Sequence, residues 1–176
     1  MTYLWNLLSP VGTLSLASDG LAITGLWLEG QKYFAATLGP DTAEQADIPV
    51  FCQAKAWLDD YFAGRRPGAP PSLAPEGSPF RKAVWSLLLE IPYGETTTYG
   101  ALSAALRSRG ISASPQAVGG AVGHNPISIL IPCHRVVGAD GSLTGYAGGV
   151  EKKRRLLELE GADTTRLYTP KRGTAL

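Results

Sequence analysis

Cysteine is scarce in this 176-residue chain: there are two, Cys52 and Cys133, beside two histidines and a single methionine. Two thiols cannot build a disulfide framework, and unaided they cannot complete a four-ligand zinc site. Long apolar runs are missing as well, and none approaches the roughly 20 residues that a membrane span needs. The opening MTYLWNLLSPVG carries no basic leader and no cleavage site, so it does not read as a signal peptide. These absences point to a reduced, cytoplasmic protein that stays out of membranes. Net charge is nearly absent too, at +1, which taken alone argues against a nucleic-acid partner.

What charge there is lies unevenly. Residues 1–75 carry four Lys/Arg against seven Asp/Glu, a net −3, whereas residues 76–176 carry twelve against eight, a net +4. The positive half is a modest pointer to contact with a polyanion, with Arg81, Lys82, Arg107 and Arg109 as candidate phosphate partners. Between the halves lies GRRPGAPPSLAPEGSP, residues 64–79, with five prolines and three glycines. It has neither helical nor strand period and reads as an extended connection. Two domains follow, over residues 1–75 and 76–176. The 44% apolar content supplies enough mass for real cores.

In the first part, Leu14 and Leu16 alternate with Thr13, Ser15 and Ala17, which suits a half-buried strand. Asp19-Gly20 is a hairpin turn signal, and LAITGLWL reads as the returning strand. FCQAKAWLDDYFAG then spaces Phe51, Ala54, Leu58 and Tyr61 along one helical face and stops at Gly64. Cys52 on that helix reads as a small buried hydrophobe.

The second part is helical. Ser78-Pro79 is an N-cap followed by proline at the first helical position, and Phe80, Val84, Leu87 and Leu88 form the apolar stripe. IPYGE breaks this helix; TTTYGALSAALRSRG restarts with a threonine cap and stops at Gly110; Ser114-Pro115 opens another helix, QAVGGAVGHN. Two short helices joined by a tight glycine-containing connection have the outline of a helix-turn-helix. Gly119, Gly120 and Gly123 are odd inside a helix, each costing about 0.5–1 kcal/mol relative to alanine. Close approach of another backbone, from a neighbouring helix or a nucleic acid, would account for them.

Chemistry gathers in ILIPCHRVVGADGSLTGYAGG, residues 129–149. A cysteine reacts as thiolate, and with an ordinary pKa near 8.5 it needs help at neutral pH. His134 is the adjacent candidate base. In an extended segment neighbouring side chains point to opposite faces, so direct contact needs a bend or a bridging water. A third group should orient the imidazole. Among the downstream carboxylates, Glu160 ends the helix EKKRRLLELE, where the helix dipole disfavours a negative charge. A buried cationic or hydrogen-bonding partner would compensate it; a solvated helix end is the plainer reading. His134 alone fits a structural histidine, and Cys133 alone a core residue.

IPYGETTTYGALS, AVGGAVGHNPISILIPCHRVVG and GSLTGYAGG…KRRLLELEG resemble the O6-alkylguanine-DNA alkyltransferase family, the methylated-DNA–protein-cysteine S-methyltransferases. The likeness runs in order over residues 78 to 163, and Pro-Cys-His-Arg in this setting is very specific. Over residues 1–75 it is one of pattern only. The resemblance implies an α+β fold: a small ribonuclease-H-like N-terminal sheet domain with a helix, then a mainly helical domain with a winged helix-turn-helix. It implies that Cys133 accepts an alkyl group from guanine O6 and keeps it. His134 would act through a bridging water, Glu160 would hold His134, and Asn125 would tie the helix-turn-helix to the active-site segment. Tyr99 would approach the target phosphate and help rotate the nucleotide out. The Val136 carbonyl would accept from the guanine amine, with Tyr146 and the Ala147 backbone over the base. Ser114, Ala117 and Arg135 would fall among the DNA and substrate contacts. The implied partner is double-stranded DNA containing O6-alkylguanine, approached from the minor groove with its base flipped, by a monomer without cofactor.

Two positions depart from the family pattern. Gln116 stands where the family usually carries an arginine that fills the gap left by the flipped base. The zinc ligands of animal members have no counterpart, since Cys52 is the only cysteine or histidine in residues 1–75, so no metal is expected. Three other readings compete. A non-catalytic damage sensor would lack the acceptor cysteine, a helix-turn-helix regulator using Cys133 as a switch would need a further domain, and a thiol hydrolase would need a small-molecule cleft.

Overall fold

The computed structural model describes residues 1–171 and has the α+β architecture expected. It divides into two compact units: Met1–Glu76 together with Pro126–Leu130, and Gly77–Asn125 together with the chain from Ile131 onward.

The first unit holds β1 (Thr2–Ser9), β2 (Gly12–Ser18), β3 (Ile23–Leu28), β4 (Thr42–Glu44) and α1 (Pro49–Phe62). The sheet order is β3-β2-β1-β4, with β4 parallel to β1 and the other pairs antiparallel. Asp19-Gly20 does turn β2 into β3. The Asp19 carboxylate accepts from the N–H groups of Leu21 and Ala22, both at 2.8 Å, while Gly20 takes φ +98°, which only glycine adopts freely. The connection is longer than two residues and is accompanied by a register shift at Ala17/Ser18. Helix α1 buries Val50, Phe51, Ala54, Leu58 and Tyr61, the expected face. Cys52 lies off that stripe and is exposed, contrary to the expectation of a buried residue.

The connection after α1 is not wholly loose. Ile23 N–H donates to Ser72 O and Ala74 N–H to Ile23 O, both at 2.8 Å, so residues 72–74 pair with the outer edge of β3. Farther along that edge, Leu26 N–H donates to Pro126 O and Ser128 N–H to Leu26 O, both at 2.9 Å. An open strand edge carries unpaired donors and acceptors, and here two irregular segments take them up. This pairing is why residues 126–130, which the sequence assigned to the second domain, belong to the first unit.

The second unit begins with α2 (Pro79–Leu88), capped by Ser78 Oγ accepting from Arg81 N–H at 3.2 Å. Its buried face is Val84, Trp85, Leu87 and Leu88, with Phe80 half-buried. Trp85 Nε1–H donates to Ala121 O at 2.8 Å and joins α2 to α4 (Pro115–Gly123). Before α4 come β5 (Thr97–Thr98) and α3 (Tyr99–Ser108), capped by Thr98 and closed by Gly110 at φ +78°. Ser103 Oγ–H donates to Ala113 O at 2.8 Å and fixes the turn, and Ser114 Oγ caps α4 by accepting from Ala117 N–H at 3.1 Å. The α3–α4 pair is the helix-turn-helix. Close packing does not explain Gly120, where an added Cβ would meet nothing within 4 Å.

Strand β6 (Val136–Val137) runs parallel to β5. Helix α5 (Val150–Leu159) buries Lys153, Leu156 and Leu157. Val137, Leu143 and Leu157 form a small core beneath α5. No described helix is long and apolar enough to cross a membrane.

Candidate active site

The segment at Cys133 is a single tight 3-10 turn over Cys133–Arg135, so the chain does bend here. Pro132 caps it, Arg135 N–H reaches Pro132 O at 3.1 Å, and Cys133 N–H reaches Ile131 O at 2.8 Å. The turn places all three side chains inside the second unit: Cys133 is 4% exposed, His134 0% and Arg135 7%.

His134 Nε2 meets Glu160 Oε1 at 2.7 Å. That bond assigns the proton to Nε2 and leaves Nδ1 as the unprotonated nitrogen of the ring. Glu160 is the C-cap of α5, and the compensation its awkward position calls for comes from Arg135. The guanidinium grips both carboxylate oxygens, with Nε to Oε2 at 2.9 Å and Nη2 to Oε1 at 2.9 Å. Its Nη1 donates to Ile91 O at 2.7 Å, the Gly94 N–H adds a bond to Oε2 at 3.2 Å, and the Tyr93 ring lies 5.8 Å away. Arg135 was assigned from resemblance to the substrate and DNA set. It is instead buried and occupied in holding Glu160.

The electrostatics follow from burial. Burial alone would push the Glu160 carboxyl up, yet the bonds and charges of His134 and Arg135 outweigh it and hold the group at about 2. Burial lowers His134, opposed by Glu160, so the ring is neutral near pH 7. Burial likewise raises the Cys133 thiol, opposed by a bond from the Asn125 side chain and the charge of Lys153. The resting sulfur is therefore a thiol, and it needs a base.

Asn125 is buried and donates from Nδ2 to Ile131 O at 2.9 Å, closing the chain on itself across residues 126–130. Tyr99 is half-buried; its hydroxyl donates to Thr144 O at 3.0 Å, and burial and the nearby Cys133 raise its pKa, keeping it a donor. Tyr146 stands edge-on to the His134 ring with 6.5 Å between centroids, and Gly148 makes room for it, since a Cβ there would lie 2.8 Å from the Tyr146 ring. Val136 is held in the β5–β6 ladder, and Ala147 is half-buried beside Tyr146. Ser114, Gln116 and Ala117 lie apart from this cluster in sequence, on the exposed start of α4, where the Ser114 hydroxyl is occupied as the cap. Among the phosphate candidates, Lys82 and Arg107 are exposed, Arg81 is half-buried, and Arg109 pairs with Glu90 at 3.0 Å.

Sequence reasoning missed Lys153. It is fully buried, donates from Nζ to Thr144 O at 2.9 Å, and burial brings its pKa down to about 8, with Cys133 opposing. The signal was there: Lys153 precedes Leu156 and Leu157 by three and four residues and Glu160 by seven, which puts it on the inward face. Among the described residues, no three His, Cys, Asp or Glu side chains converge to hold a metal. The cluster sets a buried thiol next in the chain to a neutral histidine that a carboxylate holds.

Comparisons agree across the chain. Residues 79–162 match the model of the 6-O-methylguanine DNA methyltransferase DNA binding domain, and residues 4–67 that of the same family's ribonuclease-like domain. A methylated-DNA–protein-cysteine methyltransferase from Haemophilus influenzae is 47% identical over 153 residues, covering 86% of this chain and 82% of its own. One from Mycobacterium tuberculosis is 44% identical over 152 residues, covering 86% and 88%. The crystal structure of Mycobacterium tuberculosis OGT in complex with DNA superposes with TM-score 0.78 at 40% identity, covering 94% of each chain. With a cysteine, histidine and glutamate converging in the half that matches the DNA binding domain, the chain belongs to the 6-O-methylguanine DNA methyltransferase family.

Proposed function

We propose that this protein repairs DNA by moving an alkyl group from guanine O6 to Cys133, irreversibly and once per molecule. The observation that carries this reading is the buried His134–Glu160 pair, 2.7 Å apart, directly following a cysteine in the unit that also contains the helix-turn-helix.

His134 takes the thiol proton on Nδ1, with one water between them. Glu160 stabilises the imidazolium that forms, and Arg135 keeps Glu160 ionised and in place. The Cys133 sulfur attacks the alkyl carbon in line, forming an S–C bond as the C–O6 bond breaks. The electron pair leaves on the guanine, and the proton surrendered by the thiol balances the one the restored guanine acquires. Lys153 and Asn125 favour the thiolate by charge and hydrogen bond. The product is a thioether, which has no leaving group for the return reaction.

A guanine inside a duplex cannot reach a buried sulfur, so the substrate base is flipped out, an unstacking that costs a few kcal/mol. The protein approaches from the minor groove as a monomer. Helix α4 presents Gln116 to the vacated space, with Ser114 and Ala117 beside it. Tyr99 serves the flipped nucleotide with its hydroxyl, the Val136 carbonyl accepts from the base amine, and Tyr146 with the Ala147 backbone covers the ring. Tyr146 Oη is buried with no hydrogen-bond partner recorded in the protein, so the polar edge of a base can satisfy it. A reactive thiol that must stay reduced suits the cytoplasm.

Incubation with duplex DNA containing O6-methylguanine, followed by peptide mass analysis, tests the proposal. One methyl group should appear on the Cys133 peptide and none on the Cys52 peptide. Transfer that persists in Cys133→Ala would overturn the assignment.

A further inference from the structure

Ile129 is a β-branched residue with φ +68°, 1% exposed, four positions before Cys133. Bulky L-residues avoid this left-handed region, and one held there is over-determined by its surroundings. The surroundings are specific. Pro126 and Ser128 pair with Leu26 on the β3 edge, and Leu130 N–H donates back to Ser128 O at 2.8 Å. Ser128 Oγ donates to Gln31 Oε1 at 3.3 Å, and the same oxygen accepts Leu28 N–H at 2.7 Å. Gln31 is itself buried at 6% exposure, an uncommon place for an amide, and its oxygen is locked by the sheet before it reaches Ser128. Just outside the segment, Asn125 Nδ2 and Ile131 O close the loop at its base.

We propose that Gln31 and Ser128 are positioning residues for the transfer at Cys133. They clamp residues 126–130 so that Ile129 keeps its left-handed backbone. With that backbone fixed and the loop base closed, Ile131, Pro132 and Cys133 enter the 3-10 turn in one register. Releasing the clamp lets Ile129 relax toward an ordinary φ, which rotates the chain leading to Cys133. The inference rests on Cys133 being the acceptor.

Two reactions of the same thiol test it in full-length protein. Ser128→Ala removes the donor, Gln31→Met removes the acceptor at similar volume, and Ser128→Thr keeps a hydroxyl. Methyl transfer from O6-methylguanine duplex is followed as a single-turnover rate constant, with the active fraction taken from the amplitude. Alkylation by iodoacetamide is followed peptide by peptide, with exposed Cys52 as internal reference. In Ser128→Ala and Gln31→Met the transfer rate constant should fall about 10- to 100-fold, the range a misplaced reactive group produces. Cys133 alkylation by iodoacetamide should rise several-fold relative to Cys52, because a loosened turn admits the small reagent. Ser128→Thr should restore both. A lower amplitude with an unchanged rate constant means a folding role only, and overturns the proposal; so does an unchanged Cys133:Cys52 alkylation ratio. Failure of the parent protein to methylate Cys133 would refute the repair reading instead, while the iodoacetamide comparison would still decide whether the clamp positions the thiol.

Discussion

Arg135 and Glu160 form a two-pronged buried ion pair at 2.9 Å on each side, directly behind the histidine that follows Cys133. The pair sets what His134 can do. A carboxylate already gripped by a guanidinium does not take the proton from the imidazole; it orients the ring and stabilises it when charged. Replacing Arg135 by methionine leaves Glu160 as an uncompensated buried charge, a change that costs about 3–5 kcal/mol in stability.

Glu160→Gln should slow methyl transfer by roughly 10- to 100-fold near pH 7, within the usual worth of general-base assistance. Glu160 raises the basicity of His134, so its loss weakens the base. The deficit should shrink as pH rises and the thiol ionises without help. Because burial raises the Cys133 thiol, single-turnover rates followed from about pH 6 to above the ordinary Cys range check this; an equal loss at every pH would mark a structural role only.

Lys153→Met should move stability and activity in opposite directions. A buried ammonium whose pKa has dropped to about 8 is costly, and methionine fills similar space without the charge. The midpoint of urea denaturation should rise or hold. Transfer should slow at least several-fold, because Lys153 favours the Cys133 thiolate. A parallel loss of both would show that the Thr144 bond matters more than the charge.

Stability should fall steeply in acid. Glu160 has a folded pKa of about 2 against an ordinary 4.5, so its contribution is complete above 4.5 and is lost as pH falls toward 2. His134, lowered by burial, adds in the same sense: below 6.5 the unfolded chain binds a proton that the folded chain refuses. Urea midpoints measured from neutral pH downward should show both losses. In Glu160→Gln the lower step should disappear.

Gln116→Arg should speed repair of duplex DNA and leave reaction with free O6-benzylguanine unchanged. A flipped nucleotide leaves a hole, and arginine fills it with a longer stem and a planar cation that stacks. Glutamine keeps one donor and one acceptor group but reaches less far. Only the duplex has a hole, so the two substrates should separate. A rise in both rates would indicate a change in folding, and no gain in duplex repair would place the wedge at another residue.

Much of this was legible in the chain because it rests on local chemistry. Ser78, Thr98 and Ser114 cap their helices, Gly64 and Gly110 end theirs, and Asp19-Gly20 turns a hairpin, all within a few residues of sequence. Pro-Cys-His-Arg carried the site, whereas Glu160 at a helix end left open a solvated carboxylate or one with a buried cationic or hydrogen-bonding partner, and His134 and Arg135 supply the latter. What stayed hidden depends on partners distant in sequence. Strand β1 gives little period because most of its residues are half-buried, and β4 is too short to announce itself. Cys52 looked buried by residue type, yet its place off the Phe51–Ala54–Leu58–Tyr61 stripe already put it outside. Arg135 looked like a DNA contact because its 3-10 turn, which tucks it inward, has no signature of its own.

Pairing of residues 126–130 with β3 has a consequence for how the chain can be taken apart. A cut at Glu76 looks like a clean boundary between modules, but a fragment beginning at Gly77 would carry Pro126 and Ser128 without Leu26, the backbone partner of both. A chimaera joining the first unit of one relative to the second unit of another would likewise bring together a β3 edge and a loop that were not selected for each other. Modular exchange should succeed only when Leu26, Gln31 and residues 126–130 travel as one set, so the exchangeable unit is discontinuous along the chain.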